Sequence, residues 1–485
     1  MCTQEHYQAV IGLEIHIQLL TNSKMFAPER AEYGALPNTH VSPITMAYPG
    51  ALPWVNKTAF DYAIKLGLAC KSEITEVNYF ARKSYFYPDL PKGFQITQDA
   101  TPICKGGFIT LPDSKKKISL IRMHLEEDTG KSLHGIVEGT TLIDYNRAGI
   151  PLVEMVTAPT IETGREAYHF LAAVRKLVRY LEICDGNMEE ASLRCDANVS
   201  VMPQGSTLLG TRVEIKNMNS MRHVQLAIEH EIARQTALLE AGQSITAETR
   251  NFQATSGITI SLRAKETASE YRYLPEPDIP PVWVSAEWIA AIQATIPPLP
   301  EAYLQKFKET YGLPDYAATV LVEDKAFALF FDQLCQHTRY YKAAANWLLG
   351  PVKGYLNTQS LSLAEFPLTV QQMAALVAFV ESGAINFSAA ANQLFPLLLQ
   401  QVDRTPKELA LALNLIQDSD TGNLKALVRE VVAVYPDKVA AYQKGKKGLF
   451  AMFMGEIRKK SQNKANPQLV ARLLEEVLDS TEPTP

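Results

Sequence analysis

Glu14 and His16 stand two residues apart in a stretch that alternates apolar and polar side chains. In an extended strand, positions i and i+2 project to the same side, so a carboxylate and an imidazole there can share one metal ion. The same alternation recurs three times. Ile121, Met123 and Leu125 oppose Arg122, His124 and Glu126. Leu193, Cys195, Ala197, Val199 and Val201 oppose Arg194, Asp196, Asn198 and Ser200, and Val213 and Ile215 oppose Glu214 and Lys216. Glu154 sits in the short run 152–156, after Arg147, Gly149 and Pro151, and Glu189 and Glu190 precede the third strand. A polar face built from Glu, His, Asp and Arg differs from the usual solvated face of Lys, Thr and Ser. Its acids could converge on one cation or two, and Mg²⁺, the usual partner of ATP, favours carboxylate oxygens, water and phosphate. The bland alternative is four solvated strand faces whose acids pair with nearby arginines.

Basic residues complete the logic of a nucleotide site. Lys83, Arg147, Arg194, Lys216, Arg250, Arg263, Lys265 and Arg272 are all available to neutralise phosphates. No GxxxxGK[ST] loop and no GxGxxG following a strand occurs, so a P-loop or dinucleotide-fold site is not expected. No Ser/His/Asp or Cys/His constellation is evident, so amide hydrolysis by this chain is not expected. Aromatic residues Tyr85, Phe86 and Tyr87 follow Lys83, and the proline-rich run 271–281 reads as a stiff structural belt.

These candidates need a scaffold. The 485 residues suffice for two to four domains, and the 47% hydrophobic and 20% charged content is that of a soluble globular protein. A net charge of -5 gives no bulk sign of nucleic acid, so any RNA contact must come from local basic patches. Six cysteines without a CxxC pair suggest a reducing compartment and neither zinc nor a disulfide framework. With no run of about 18 apolar residues, the expectation is a soluble, cytoplasmic protein with no membrane partner. The alternating strands are interrupted by helices. Thr163 and Glu166 have capping-box spacing before a helical apolar stripe, and a second helix is expected from Asn219 or Ser220 to Gly242. That mixture predicts an α+β domain over 1–293. Residues 294–405 read as a helical domain and 406–485 as an all-α tail. The tail gathers Lys444, Lys446, Lys447, Arg458, Lys459, Lys460 and Lys464 around apolar residues 449–457, with Gly445 and Gly448 allowing close backbone approach to phosphates. A solvated amphipathic helix is the competing reading of that cluster.

Seven strings, in order, resemble the GatB family: VIGLEIHIQL (10–19), KSYFYPDLPKGFQITQ (83–98), HLEEDTGK (124–131), DYNRAGIPLVEM (144–155), MEEASLRCDANV (188–199), VEIKNMNS (213–220) and YRYLPEPDIP (271–280). The resemblance runs nearly end to end. It implies a glutamine-synthetase-like cradle with a mixed or antiparallel sheet, working beside GatA, a glutaminase, and GatC. It further implies use of ATP and Mg²⁺ to phosphorylate the side-chain carboxylate of Glu-tRNA(Gln) or Asp-tRNA(Asn), which ammonia then converts to the amide. Carried onto this chain, the metal ligands are Glu14, His16, Glu126, Glu154 and Asp196. Lys83 and Arg147 become the phosphate or transition-state contacts, with Arg194 and Lys216 as further nucleotide contacts. Glu127, Glu190 and Lys216 line the site or the ammonia exit, with Glu127 as a catalytic candidate. The basic tail becomes the contact to the outer body of the tRNA. Some members bind zinc through an early Cys-Pro-x-Cys stretch, but Ser42, Pro43, Ile44 and Thr45 stand there instead, so no zinc is expected. There is no room for the large synthetase-like insertion of the archaeal relatives, which points to the bacterial three-subunit type.

Overall fold

The computed structural model describes residues 6–264, 271–416, 421–461 and 465–480. Lys265 and Lys464, two of the candidate basic residues, lie outside the described residues, as does the side chain of Arg263. The chain divides into two compact units, Met1–Pro300 and Glu301–Pro485.

The first unit is built on a mixed sheet, and the four alternating segments all belong to it. We number its strands β1 (Tyr7–Gln18), β2 (Ala81–Ser84), β3 (Phe94–Thr97), β4 (Lys117–Glu127), β5 (Pro151–Thr157), β6 (Leu193–Pro203), β7 (Val213–Lys216), β8 (Glu248–Gln253), β9 (Ile258–Ala264) and β10 (Leu274–Pro275). They lie in the order β9-β8-β7-β6-β1-β5-β4-β3-β2-β10, with short strands at the margins. Only the β7–β8 pair in this order is parallel. β1 is therefore interior, antiparallel to β5 on one side and to β6 on the other.

Ile11, Leu13, Ile15 and Ile17 of β1 have no exposed surface. Burying each stabilises the fold by roughly 2 kcal/mol on transfer alone. They pack into a core with three helices, α1 (Lys57–Ala69), α2 (Gly164–Tyr180) and α3 (Met221–Glu240). Each helix starts at a side-chain cap: Asn56, Thr163 and Ser220 accept from the backbone N–H three residues on. The expected capping box at α2 forms only by half. Thr163 Oγ1 accepts from the Glu166 N–H at 3.1 Å, but the Glu166 carboxylate reaches the Glu162 N–H at 2.9 Å, one residue too early. At the far end of α3, Gly242 takes φ +71°, the left-handed turn that stops the helix. With its apolar face committed to the helices, the sheet's polar face is left to carry the chemistry.

The proline-rich belt lies along the sheet's margin. β10 pairs with β2, Leu274 opposite Arg82. Arg82 fixes it there through two bonds to the buried Glu276 carboxylate, 2.7 and 2.9 Å, and a third to Asp278 at 3.1 Å. Its guanidinium also lies over the Phe94 ring, 4.4 Å from the centroid. The five described cysteines are buried thiols outside any disulfide.

The second unit is helical throughout its described residues. Its last four helices, α4 (Thr421–Ala433), α5 (Pro436–Gln443), α6 (Leu449–Lys460) and α7 (Pro467–Ser480), share a small core that includes Val428, Phe453, Ile457 and Leu474.

Candidate active site on the polar sheet face

Antiparallel register sets the site. His16 on β1 lies opposite Glu154 of β5 and Arg194 of β6. Glu154 in turn lies opposite His124 of β4. One row thus runs Arg194, His16, Glu154, His124 across four strands, with Glu126 two residues beyond His124 on the same face. His16 Nε2 lies 3.5 Å from both Glu126 Oε1 and Glu154 Oε2. His124 Nε2 lies 3.6 Å from Glu126 Oε2 and 3.4 Å from Glu154 Oε2. Ligand atoms of His16, Glu126 and Glu154 fall within 4.8 Å of one another, close enough to hold a single ion.

The electrostatics of this quartet are mutual. Burial alone would lower the His124 imidazole, but hydrogen bonding and charge from Glu126 and Glu154 outweigh it and raise the group to about 9. Burial would raise Glu154, but the two imidazoles hold it well below the usual carboxylate range. The donor set fits a divalent cation. The two carboxylates suit Mg²⁺ or Mn²⁺, imidazole is a borderline nitrogen donor that adds to them, and His124 Nδ1 is buried without a hydrogen-bond partner.

Lys83, on β2, faces this quartet. Burial opposes its charge, while Glu126 and Glu154 favour it and leave the ammonium raised overall. It forms no direct ion pair or hydrogen bond among the described residues and rests over the Tyr271 ring of the belt, 4.7 Å from its centroid. Lys83 is thus a cation aimed at two carboxylates with its donors uncommitted.

Glu14 and Asp196 form a neighbouring group. They are cross-strand partners. Asp196 pairs with Lys216 at 2.6 Å, Lys216 reaches Glu214 at 3.3 Å, and Glu14 accepts from Asn198 at 2.9 Å. Burial and then the charge of Glu154 raise the Glu14 carboxyl above its ordinary value. Of the five carried-over metal ligands, then, His16, Glu126 and Glu154 converge, while Glu14 and Asp196 lie one row away with Lys216 between the acids of β6 and β7.

The remaining candidates are committed elsewhere. Glu127 does not join the quartet. Its Oε1 accepts from Lys92 and from the Ile96 N–H at 2.9 Å, inside the wall formed by β3 and β4. Arg147 braces a loop, donating to the Thr129 carbonyl at 3.0 Å and the Gly130 carbonyl at 2.7 Å. Arg194 donates to the buried Asp128 at 2.9 Å, and Gln18 donates to the same oxygen at 2.9 Å. Burial would raise the Asp128 carboxyl, but Arg194 and Arg147 hold it below its ordinary value. Asp128 thereby anchors Arg194 beside His16. Glu190 is exposed in the turn before β6.

His124 is the group that sequence reasoning did not select. Its signal was present, since His124 and Glu126 repeat on β4 the i, i+2 pairing of Glu14 and His16 on β1.

In the tail, Lys444, Lys446, Lys447, Arg458, Lys459 and Lys460 are all exposed. The first three cluster around Gly445, which has φ +103°, and the last three end α6. Lys447 lies 4.0 Å from the centroid of Tyr442, and Lys460 pairs with Glu430 at 2.5 Å. A groove of about 380 Å³ opens between α4 and α6, lined by Val431, Tyr435, Glu456, Lys459 and Lys460.

Comparison with known proteins identifies the family. A GatB/GatE catalytic-domain family matches residues 9–290, and a GatB domain family matches residues 329–478. Three similar relatives are each described as the B subunit of an aspartyl/glutamyl-tRNA(Asn/Gln) amidotransferase. The one from Salinibacter ruber is 44% identical, over 99% of this chain and 98% of its own. That from Myxococcus xanthus is 42% identical over 97% and 98%, and that from Thermosynechococcus vestitus 43% over 98% and 97%. Matched in both its units and along the full length of these relatives, the chain belongs to the GatB family of tRNA-dependent amidotransferases.

Proposed function

We propose that this subunit phosphorylates the side-chain carboxylate of Glu-tRNA(Gln), Asp-tRNA(Asn) or both, using ATP, and then passes the acyl phosphate to ammonia. The observation that carries this reading is the quartet His16, His124, Glu126 and Glu154 facing the uncommitted ammonium of Lys83.

A carboxylate is a poor electrophile. Its oxygen attacks the γ-phosphorus of ATP, the bond to ADP breaks, and the product is an acyl phosphate. Ammonia then attacks the acyl carbon, phosphate leaves with the C–O electron pair, and the nitrogen loses a proton to give the amide. His16, Glu126 and Glu154, with His124 beside them, would hold Mg²⁺, which when bound neutralises phosphate charge. Lys83 supplies a second positive charge where the transferring group gains negative charge, and Arg194, paired with Asp128, borders His16. Tyr271 lies beside Lys83 and meets Tyr273 edge-on, so the two rings border the site there.

We place the subunit in a cytoplasmic heterotrimer with a glutaminase subunit, GatA, and a small subunit, GatC. The sheet unit acts as the cradle for the acceptor end, and the exposed lysines and Arg458 of the tail contact the tRNA body. The stretch Ser42, Pro43, Ile44 and Thr45 has no thiolates to hold zinc.

The test is made in the assembled heterotrimer. Glu126→Gln and Glu154→Gln each remove one carboxylate charge without changing side-chain size. Glu-tRNA-dependent ATP hydrolysis should fall by at least about 100-fold, with tRNA binding retained. Wild-type turnover in either variant would leave this chain a scaffold for chemistry done elsewhere.

A further inference from the structure

Phe86 is 91% exposed and Tyr87 is 64% exposed. An apolar ring standing almost wholly in water contributes little to folding; a lone one is ordinary, but here two adjacent rings are exposed together. The loop that carries it is not loose. The Leu90 N–H donates to the Tyr87 carbonyl at 3.0 Å, Gly93 to Leu90 at 3.0 Å, and Gly130 to Asp89 at 2.8 Å. Tyr145 Oη donates to the Pro88 carbonyl at 2.8 Å. The Phe86 ring lies against Gly93, which has φ +73°, and a Cβ there would come within 3.4 Å of the ring. Only the Cδ1–Cε1 edge of the ring comes near Gly93, and its faces are open.

The platform also has an address. Phe86 is three residues from Lys83, which places its Cα at most about 11 Å from that of the cation facing the quartet. Between them Tyr85 meets Tyr271 edge-on at 6.2 Å, and Tyr271 meets Tyr273 at 6.2 Å. Exposed rings interleaved with a cation match the surface that single-stranded nucleic acid uses, by stacking of bases and attraction of phosphates.

We propose that Phe86, flanked by Tyr87, is the stacking platform for the terminal base of the aminoacylated RNA, holding the esterified amino acid within reach of Lys83. This rests on the function proposed above. A purine could come from the RNA end or from ATP. The RNA end is the occupant argued here, because the ring stands exposed three residues from Lys83, where an unpaired base can stack without entering the quartet.

The experiment uses the heterotrimer carrying Phe86→Ala or Phe86→Trp. With Phe86→Ala the KM for Glu-tRNA should rise about 10-fold, while the KM for ATP and the elution of the intact complex stay unchanged. Phe86→Trp should restore the KM. In competition assays the wild type should prefer uncharged tRNA over tRNA lacking its terminal adenosine by about 10-fold, and Phe86→Ala should lose that preference. An unchanged KM for Glu-tRNA, a preference that persists in Phe86→Ala, a rise confined to the KM for ATP, or a dissociated complex would each overturn the assignment. A wild-type complex that binds no tRNA in these assays would overturn the proposed function as well, and so marks that failure apart.

Discussion

Glu276→Ala tests whether the belt is held by one buried ion pair. Glu276 is 5% exposed, and its carboxylate accepts two charge-assisted bonds from Arg82 and a third from the Asp278 N–H at 3.0 Å. Removing one partner of a buried pair costs about 3–5 kcal/mol, because the other charge is stranded. Here Arg82 keeps Asp278 and is about a quarter exposed, which reduces the cost to roughly 2–3 kcal/mol. For a unit of about 300 residues the unfolding entropy is about 0.6 kcal/mol/K, so the midpoint should drop by about 4 °C. Scanning calorimetry of the full chain measures the drop in the transition of the first unit. Hydrogen exchange localises it, because the Glu276 N–H bonds to the Phe80 carbonyl and the Ser84 N–H to Tyr271, and both should lose protection. Since the belt carries Tyr271 and Tyr273 against Lys83, ATP turnover in the heterotrimer should fall with it. A midpoint within about 1 °C of wild type, with protection of both amides intact, would refute the latch.

Three further outcomes follow from the same contacts. Lys83→Met in the heterotrimer should lower kcat by about 100-fold or more with little change in tRNA affinity, because it removes a charge used as negative charge develops; equal losses in binding and turnover would argue against that role. Lys24 is buried on the His40 carbonyl at 2.6 Å, and burial lowers its ammonium to about 8. Its folded value lies below the unfolded one, so the unfolded chain binds the extra proton between about pH 8 and 10.5 and stability rises with pH across that window. From about pH 7 to 9.5 wild type should gain about 2 kcal/mol relative to Lys24→Met in urea unfolding, and a constant difference would contradict the burial argument. Replacing Lys444, Lys446 and Lys447 by Ala should lower the slope of log affinity for tRNA against log salt by up to about 3; an unchanged slope would leave those lysines as mere solvated surface.

Much of the sheet was readable because a half-buried strand writes its period into the chain. Leu13, Ile15 and Ile17 against Glu14 and His16 left one orientation open, and the four segments read this way are β1, β4, β6 and β7. What the alternation could not carry is which strands are neighbours, since pairing is a contact between distant segments. That order decides that His16 meets Glu154 and Glu126 while Glu14 meets Asp196. The acid run 126–128 reads as one feature, yet adjacent residues on a strand leave on opposite sides. Glu126 joins the quartet, Glu127 is taken by Lys92 and β3, and Asp128 anchors Arg194. Arg147 had the right type for phosphate but sits where a turn needs its carbonyls tied. His124 was hidden by attention to acids, though its strand position was plain.

The interior place of β1 has a price in time. Its partners β5 and β6 end at Thr157 and Pro203, so once β1 has been synthesised its pairing is complete only after about 185 more residues have been made. β5 is complete after about 139 of those residues, so at 5–20 residues per second roughly 7–28 s pass before Ile11, Leu13, Ile15 and Ile17 have a first partner strand, and roughly 10–40 s before they have both. Such non-local closure makes folding slow and exposes a sticky strand to other nascent chains. The residues that gather the chemistry at the centre of the sheet thus also make the emerging chain dependent on whatever shields that strand in the cell.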